Sequence, residues 1–140
     1  MQRQKQNKVV LDSSVISAIF FREEASERAE KVAENYKLIT LDFAAVEVAN
    51  VAWKRVIFFS DSKEIVLRAL KKNLEFINNV CEIIASKELI EDAFEIAVSD
   101  EITIYDSLFI AASEREKVSL LTTDKKLYEK LEGKRNIKLI

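Results

Sequence analysis

The chain has 140 residues, 49% of them apolar and 33% charged, with a formal charge of −2. That length and apolar content suit one domain with a real core and exclude an intrinsically disordered chain. Histidine and proline are absent, glycine occurs once, at Gly133, and cysteine once, at Cys81; this excludes Ser-His-Asp and Cys-His catalysis, histidine-ligated zinc, an internal disulfide, Walker loops and glycine-rich dinucleotide turns.

A polar N-terminal arm, residues 1–7, precedes a short first strand, Lys8–Leu11. The arm lacks the hydrophobic stretch of a secretion signal and no apolar run reaches membrane-spanning length, so the chain is expected to stay in the cytoplasm. Asp12-Ser13-Ser14 then leads the apolar VISAIFF, a helix with Asp or Ser as its cap. An amphipathic helix is expected over Glu24–Tyr36, a second strand over Lys37–Leu41, and a helix from Asp42 to about Val56. The next helix, about Ser62–Ile77, would turn Ile65, Leu70, Leu74 and Ile77 inward. A third strand falls at Val80–Ile84, where Cys81 reads as a buried, inert thiol. Helices over Glu88–Val98 and Tyr105–Arg115, a strand at Ser119–Thr122, a short helix Asp124–Leu131 and an edge strand Ile137–Ile140 complete the chain. Strands separated by helices, with no hairpin signal, predict right-handed crossovers and a doubly wound, three-layer α/β fold. Its central parallel sheet would have four to five strands.

In such sheets, functional groups gather beyond the carboxyl ends of the strands, where the strand order reverses. Asp12 follows the first strand and Asp124 the fourth, so both would open onto one crevice if those strands are neighbours. Each also has an ordinary role as a helix N-cap. Glu47 lies in FAAVEVANVAW, a helix apolar on nearly every side, with Asn50 and Lys54 completing a narrow polar stripe. That stripe reads as a thin solvent-facing strip or as a glutamate turned into a pocket. Asp106 leads the apolar helix of ITIYDSLFIAAS, where the helix dipole alone would favour it.

Taken together, LDSSV, AAVEVANV, ITIYDSLFIAAS and LLTTDKKL resemble, in order, the four motifs of the PIN-domain ribonucleases. In length and organisation the chain looks like the VapC-type toxins of toxin–antitoxin pairs. Ser13 stands where threonine is common and Ser107 where alanine is common. The resemblance implies a PIN-like fold spanning the chain, catalysis and metal coordination by Asp12, Glu47, Asp106 and Asp124, and supporting hydrogen bonds from Ser14 and Thr122. Single-stranded RNA is the implied substrate, and an antitoxin and a second copy of the chain are the implied partners. Clustered carboxylates must bind a cation or take up protons, and an all-oxygen site without histidine suits Mg²⁺ or Mn²⁺.

Arg22, Lys54, Lys125 and Lys126 flank the motifs and are candidates for holding RNA against the net negative charge. The apolar groups Phe20-Phe21 and Val56-Ile57-Phe58-Phe59 read as core or as interface. A receiver-like signalling domain would need an acidic pair after the first strand, and a haloacid-dehalogenase-type phosphatase would need Asp-x-Asp there; Asp12 stands before two serines. A PIN-like RNA-binding scaffold without turnover is the remaining alternative.

Overall fold

A computed structural model describes residues 7–140; the rest of the expected N-terminal arm lies outside them. Within that arm Asn7 is anchored, its carbonyl accepting from the Lys37 N–H at 2.9 Å. Five strands, β1 (Lys8–Leu11), β2 (Lys37–Leu41), β3 (Glu82–Ile84), β4 (Ser119–Thr122) and β5 (Ile137–Leu139), form one parallel sheet in the order β3-β2-β1-β4-β5. β1, β2 and β4 are apolar and buried with little alternation, as strands covered on both faces must be.

Among the described residues seven α-helices link them: α1 (Ser13–Phe20), α2 (Ser26–Asn35), α3 (Phe43–Phe59), α4 (Lys63–Asn79), α5 (Ile90–Asp100), α6 (Ile104–Glu116) and α7 (Lys125–Leu131). Right-handed crossovers put α1–α4 on one face and α5–α7 on the other. Packing agrees: α1 lies against α2, α3 and α4, while α6 lies against α5 and covers β1, β2 and β4. The expected three-layer, doubly wound α/β architecture is the one observed.

Several boundaries and faces differ from expectation for physical reasons. The third strand starts at Glu82 rather than Val80, because the Val80 and Cys81 N–H groups both return to the Phe76 carbonyl and close α4. Cys81 is buried, and that burial pushes its thiol up to about 12. On α4 Ile77 is buried and Leu70 and Leu74 are half-buried against the core, as expected, but Ile65 is 63% exposed and Val66 and Asn73 are buried instead. Phe21 is core, packed with Ala52 and Val66 beneath the Arg55 guanidinium, and Phe20 meets Phe76 edge to face. Ile57, Phe58 and Phe59, by contrast, are exposed at the end of α3. With a single glycine available, α3, α5 and α6 end on left-handed Ser60, Glu101 and Lys117, each costing about 1 kcal/mol relative to glycine.

Candidate active site

The strand order reverses between β1 and β4, so the residues just past their carboxyl ends share one rim. Asp12 is there, 7% exposed, and both of its oxygens are engaged. Oδ1 accepts from the Ser14 and Val15 N–H groups (3.1 and 3.2 Å), capping α1, and from the Ser14 hydroxyl at 2.5 Å. Oδ2 accepts from the Thr122 hydroxyl at 2.5 Å, a bond between residues 110 positions apart. Thr122 Oγ1 in turn accepts from the Asp124 N–H (3.0 Å), and Ser14 Oγ accepts from the Thr123 N–H (3.0 Å). One hydroxyl from each side thus ties the two strand ends into a single lattice. Asp124 Oδ1 caps α7 through the Leu127 N–H at 3.1 Å. The capping roles weighed for both aspartates are real.

Replacing Thr122, which is fully buried, by valine keeps the shape but strips Asp12 Oδ2 and the Asp124 N–H of their partner. Thr122→Val is expected to lose about 1–3 kcal/mol of stability in denaturant titration, the usual cost of orphaned buried polar groups.

Glu47 and Asp106 enter from the two helical layers. On α3, Glu47 is half-buried and accepts from the Ser13 hydroxyl at 3.1 Å, so it turns toward the start of α1 rather than along a solvent strip. Asp106 is in the first turn of α6, where the Thr103 side chain caps its N–H at 3.1 Å. Burial raises Asp12 to about 6 and Glu47 to about 7, and it also raises Asp106. The negative charge of Asp106 adds to the upward push on Asp12 and Glu47, Asp12 adds to that on Glu47, and Asp124 to that on Asp106. Ser14, Thr122 and Ser13 pull the other way by donating hydrogen bonds. The four acids therefore form one electrostatic unit. Among the described residues none of them has a Lys or Arg ion-pair partner.

Among the described residues, no three of these carboxylates stand close enough together to ligate one ion. Bringing like charges closer costs Coulomb energy that protons or a cation relieve. The donor set itself, all carboxylate and hydroxyl oxygen, fits a hard divalent cation such as Mg²⁺ or Mn²⁺.

Of the four basic candidates, Lys126 lines an open groove with Asp106 and Asp124, and Lys125 lines a neighbouring one with Arg28 and Thr123. Arg22 and Lys54 are exposed, line neither groove, and Arg22 offers its carbonyl to Arg55. Lys130, not anticipated from sequence, lines the Lys126 groove one helical turn on. Ser13 and Thr103 were also missed. Hydroxyls at helix starts signal caps, and nothing in the local sequence said which acid each would face.

A doubly wound α/β domain with four coupled acids at its switch point is the class that fold and site define. Residues 9–132 match the family described as PIN domain, and the chain belongs to that family. It is 36% identical, over 124 residues, to Ribonuclease VapC3 of Pyrobaculum aerophilum, covering 88% of this chain and 94% of that protein. Among solved structures the fold is similar to PAE2754 of Pyrobaculum aerophilum (TM-score 0.70, 20% identity, 96% of this chain and 92% of that one). It is also similar to VapC20 of Mycobacterium tuberculosis, a sarcin-ricin loop cleaving toxin (TM-score 0.67, 15% identity, 86% and 93%). A further similarity is to VapBC2 of Rickettsia felis, bound to a DNA fragment from its promoter (TM-score 0.61, 14% identity, 95% and 98%).

Proposed function

We propose that this chain, acting as a single PIN domain in the cytoplasm, is a Mg²⁺- or Mn²⁺-dependent endoribonuclease that cuts single-stranded RNA as the toxin of a toxin–antitoxin pair. The observation that carries the reading is the coupling of Asp12, Glu47, Asp106 and Asp124 across four separate chain segments, none of them ion-paired to a Lys or Arg among the described residues. Similarity to Ribonuclease VapC3 over most of both chains supports the substrate class.

The four acids would hold the cation in part through its bound waters, since no three of them are placed to ligate one ion directly. Bound there, it would supply Lewis-acid stabilisation of charge on the phosphate and a more acidic water. The protein's own groups do the rest. Thr122 and Ser14 fix both oxygens of Asp12, and Ser13 orients Glu47. Glu47, raised to about 7, is only partly ionised at neutral pH, and its ionised form can orient a water and accept its proton, as a general base does. Lys126 and Lys130, lining the groove beside Asp106 and Asp124, would steer the phosphate backbone past the acids.

The test is cleavage of an end-labelled single-stranded RNA. Turnover is expected with Mg²⁺ or Mn²⁺, none with EDTA, and none by Asp124→Asn. RNA left intact by the wild-type chain with either metal would overturn the activity. The separation of the carboxylates favours a second reading, an RNA-binding scaffold without turnover. RNA binding without cleavage would select it.

Exposed apolar side chains support protein partners, an antitoxin and a second copy of the chain. Ile57, Phe58 and Phe59 project from the end of α3, and Ile90, Phe94 and Val98 form a stripe along α5. A dimer is expected by sedimentation at micromolar concentration; a clean monomer removes the homodimer. No helix among the described residues is long and apolar enough to cross a membrane.

A further inference from the structure

Two aromatic residues close to Glu47 and Asp106 in the chain are not used by the chemistry above. Phe43 opens α3 one turn before Glu47, on the same side of that helix. Tyr105 is the residue immediately before Asp106 in α6. Their rings are stacked, with centroids 5.3 Å apart and planes at 11°. Phe43 is half-buried and packed on the core, whereas Tyr105 is 54% exposed. The start of α3 is pinned as well: Asp42 Oδ1 accepts from the Phe43 N–H (2.9 Å) and from the Ser86 N–H and hydroxyl (2.9 and 2.5 Å).

A near-parallel stack covers one face of the tyrosine ring and, with Tyr105 more than half exposed, leaves flat aromatic surface to solvent on the residue that precedes Asp106. Water gains little from such a surface, but a nucleobase is a flat π-system that can extend the stack. A further aromatic pair, Trp53 and Phe58, both exposed, meets edge to face at 82° farther along α3 and offers no such extension. We propose that Tyr105, backed by Phe43, is a stacking platform for one unpaired base of the RNA next to the bond being cut. This rests on the RNA-cleaving reading. It adds a base contact that helps position the phosphodiester and favours unpaired over duplex RNA, because a base inside a helix cannot offer its face.

The experiment measures binding by fluorescence anisotropy, using the full chain carrying Asp12→Asn so that RNA stays intact. The probe is a single-stranded RNA decamer in which one nucleotide at a time is made abasic. With Tyr105 present, one position is expected at which loss of the base weakens binding about 10-fold. Tyr105→Ala should weaken binding of the intact decamer about 10-fold and make it indifferent to base loss at that position. Tyr105→Phe and Tyr105→Trp should keep the wild-type pattern. The salt dependence of binding should be unchanged in Tyr105→Ala, since no phosphate contact is lost. Equal sensitivity to base loss in the tyrosine and alanine proteins overturns the platform, as does a Tyr105→Phe variant as weak as alanine. If wild-type protein cleaves RNA while Tyr105→Ala binds it equally well, the platform alone falls. If the tyrosine protein binds no RNA and the wild type cleaves none, both readings fall.

Discussion

Asp12→Asn is expected to make the metal-free protein more stable at pH 7.5 while destroying RNA cleavage. Asp12 is buried, and burial raises it to about 6 from an ordinary 3.8, so at pH 7.5 the folded chain carries an ionised carboxylate in a poor solvent for charge. That shift corresponds to on the order of 3 kcal/mol. Asparagine removes the charge without removing the structure. Its Oδ1 can still accept from the Ser14 and Val15 N–H groups, and its Nδ2 can donate to Thr122 Oγ1, whose hydroxyl is free to rotate. The melting temperature should rise by roughly 5–10 °C. Cleavage should fall at least about 100-fold, because the anionic oxygen that would hold the cation is gone. Stabilisation by Mn²⁺ should also be lost. A variant less stable than wild type would show Asp12 to be a structural cap first, and one that cleaves normally would remove it from the site.

The second large effect concerns pH. Asp12 and Glu47 are raised to about 6 and about 7 in the folded chain from ordinary values of 3.8 and 4.5. The folded state therefore binds more protons than the unfolded one between about pH 4 and pH 7, and stability falls as pH rises through that window. Asp42, held low by Ser86, and Asp100, held low by Arg135, act in the opposite sense, but only as pH drops below the ordinary aspartate range. Metal-free protein in EDTA should thus melt highest near pH 5 and lose stability toward pH 7.5. A divalent ion favours the ionised carboxylates, so the gain in melting temperature on adding Mn²⁺ should be small at pH 5.5 and large at pH 7.5. Calorimetry across pH 5–8, with and without Mn²⁺, checks both. Metal-free stability that is flat or climbs from pH 5.5 to 7.5 would contradict the burial of these two acids.

Much of this architecture is written in local pattern. KVVL, KLITL and SLLT have no polar face, which marks strands covered on both sides, and the helical segments between them leave only crossover connections. Asp12 and Asp124 are legible as caps because each stands between a strand and a helix, a position that depends on neighbours a few residues away. Helix faces were harder to read. Ile65 and Val66 are equally apolar, and which one faces inward depends on what packs opposite α4.

Strand order was beyond any local signal. Only the assembled sheet sets β4 against β1, and only that adjacency lets Thr122 reach an aspartate 110 residues earlier. The same holds for Ser13 against Glu47, Lys130 beside Asp106, and the ring of Tyr105 laid on Phe43. Periodicity and caps report what each segment needs buried or bonded, because those demands are met within a turn or a strand. Which acids share a charge environment, and at what pH they release their protons, is decided by distances between segments that exist only once the chain has folded.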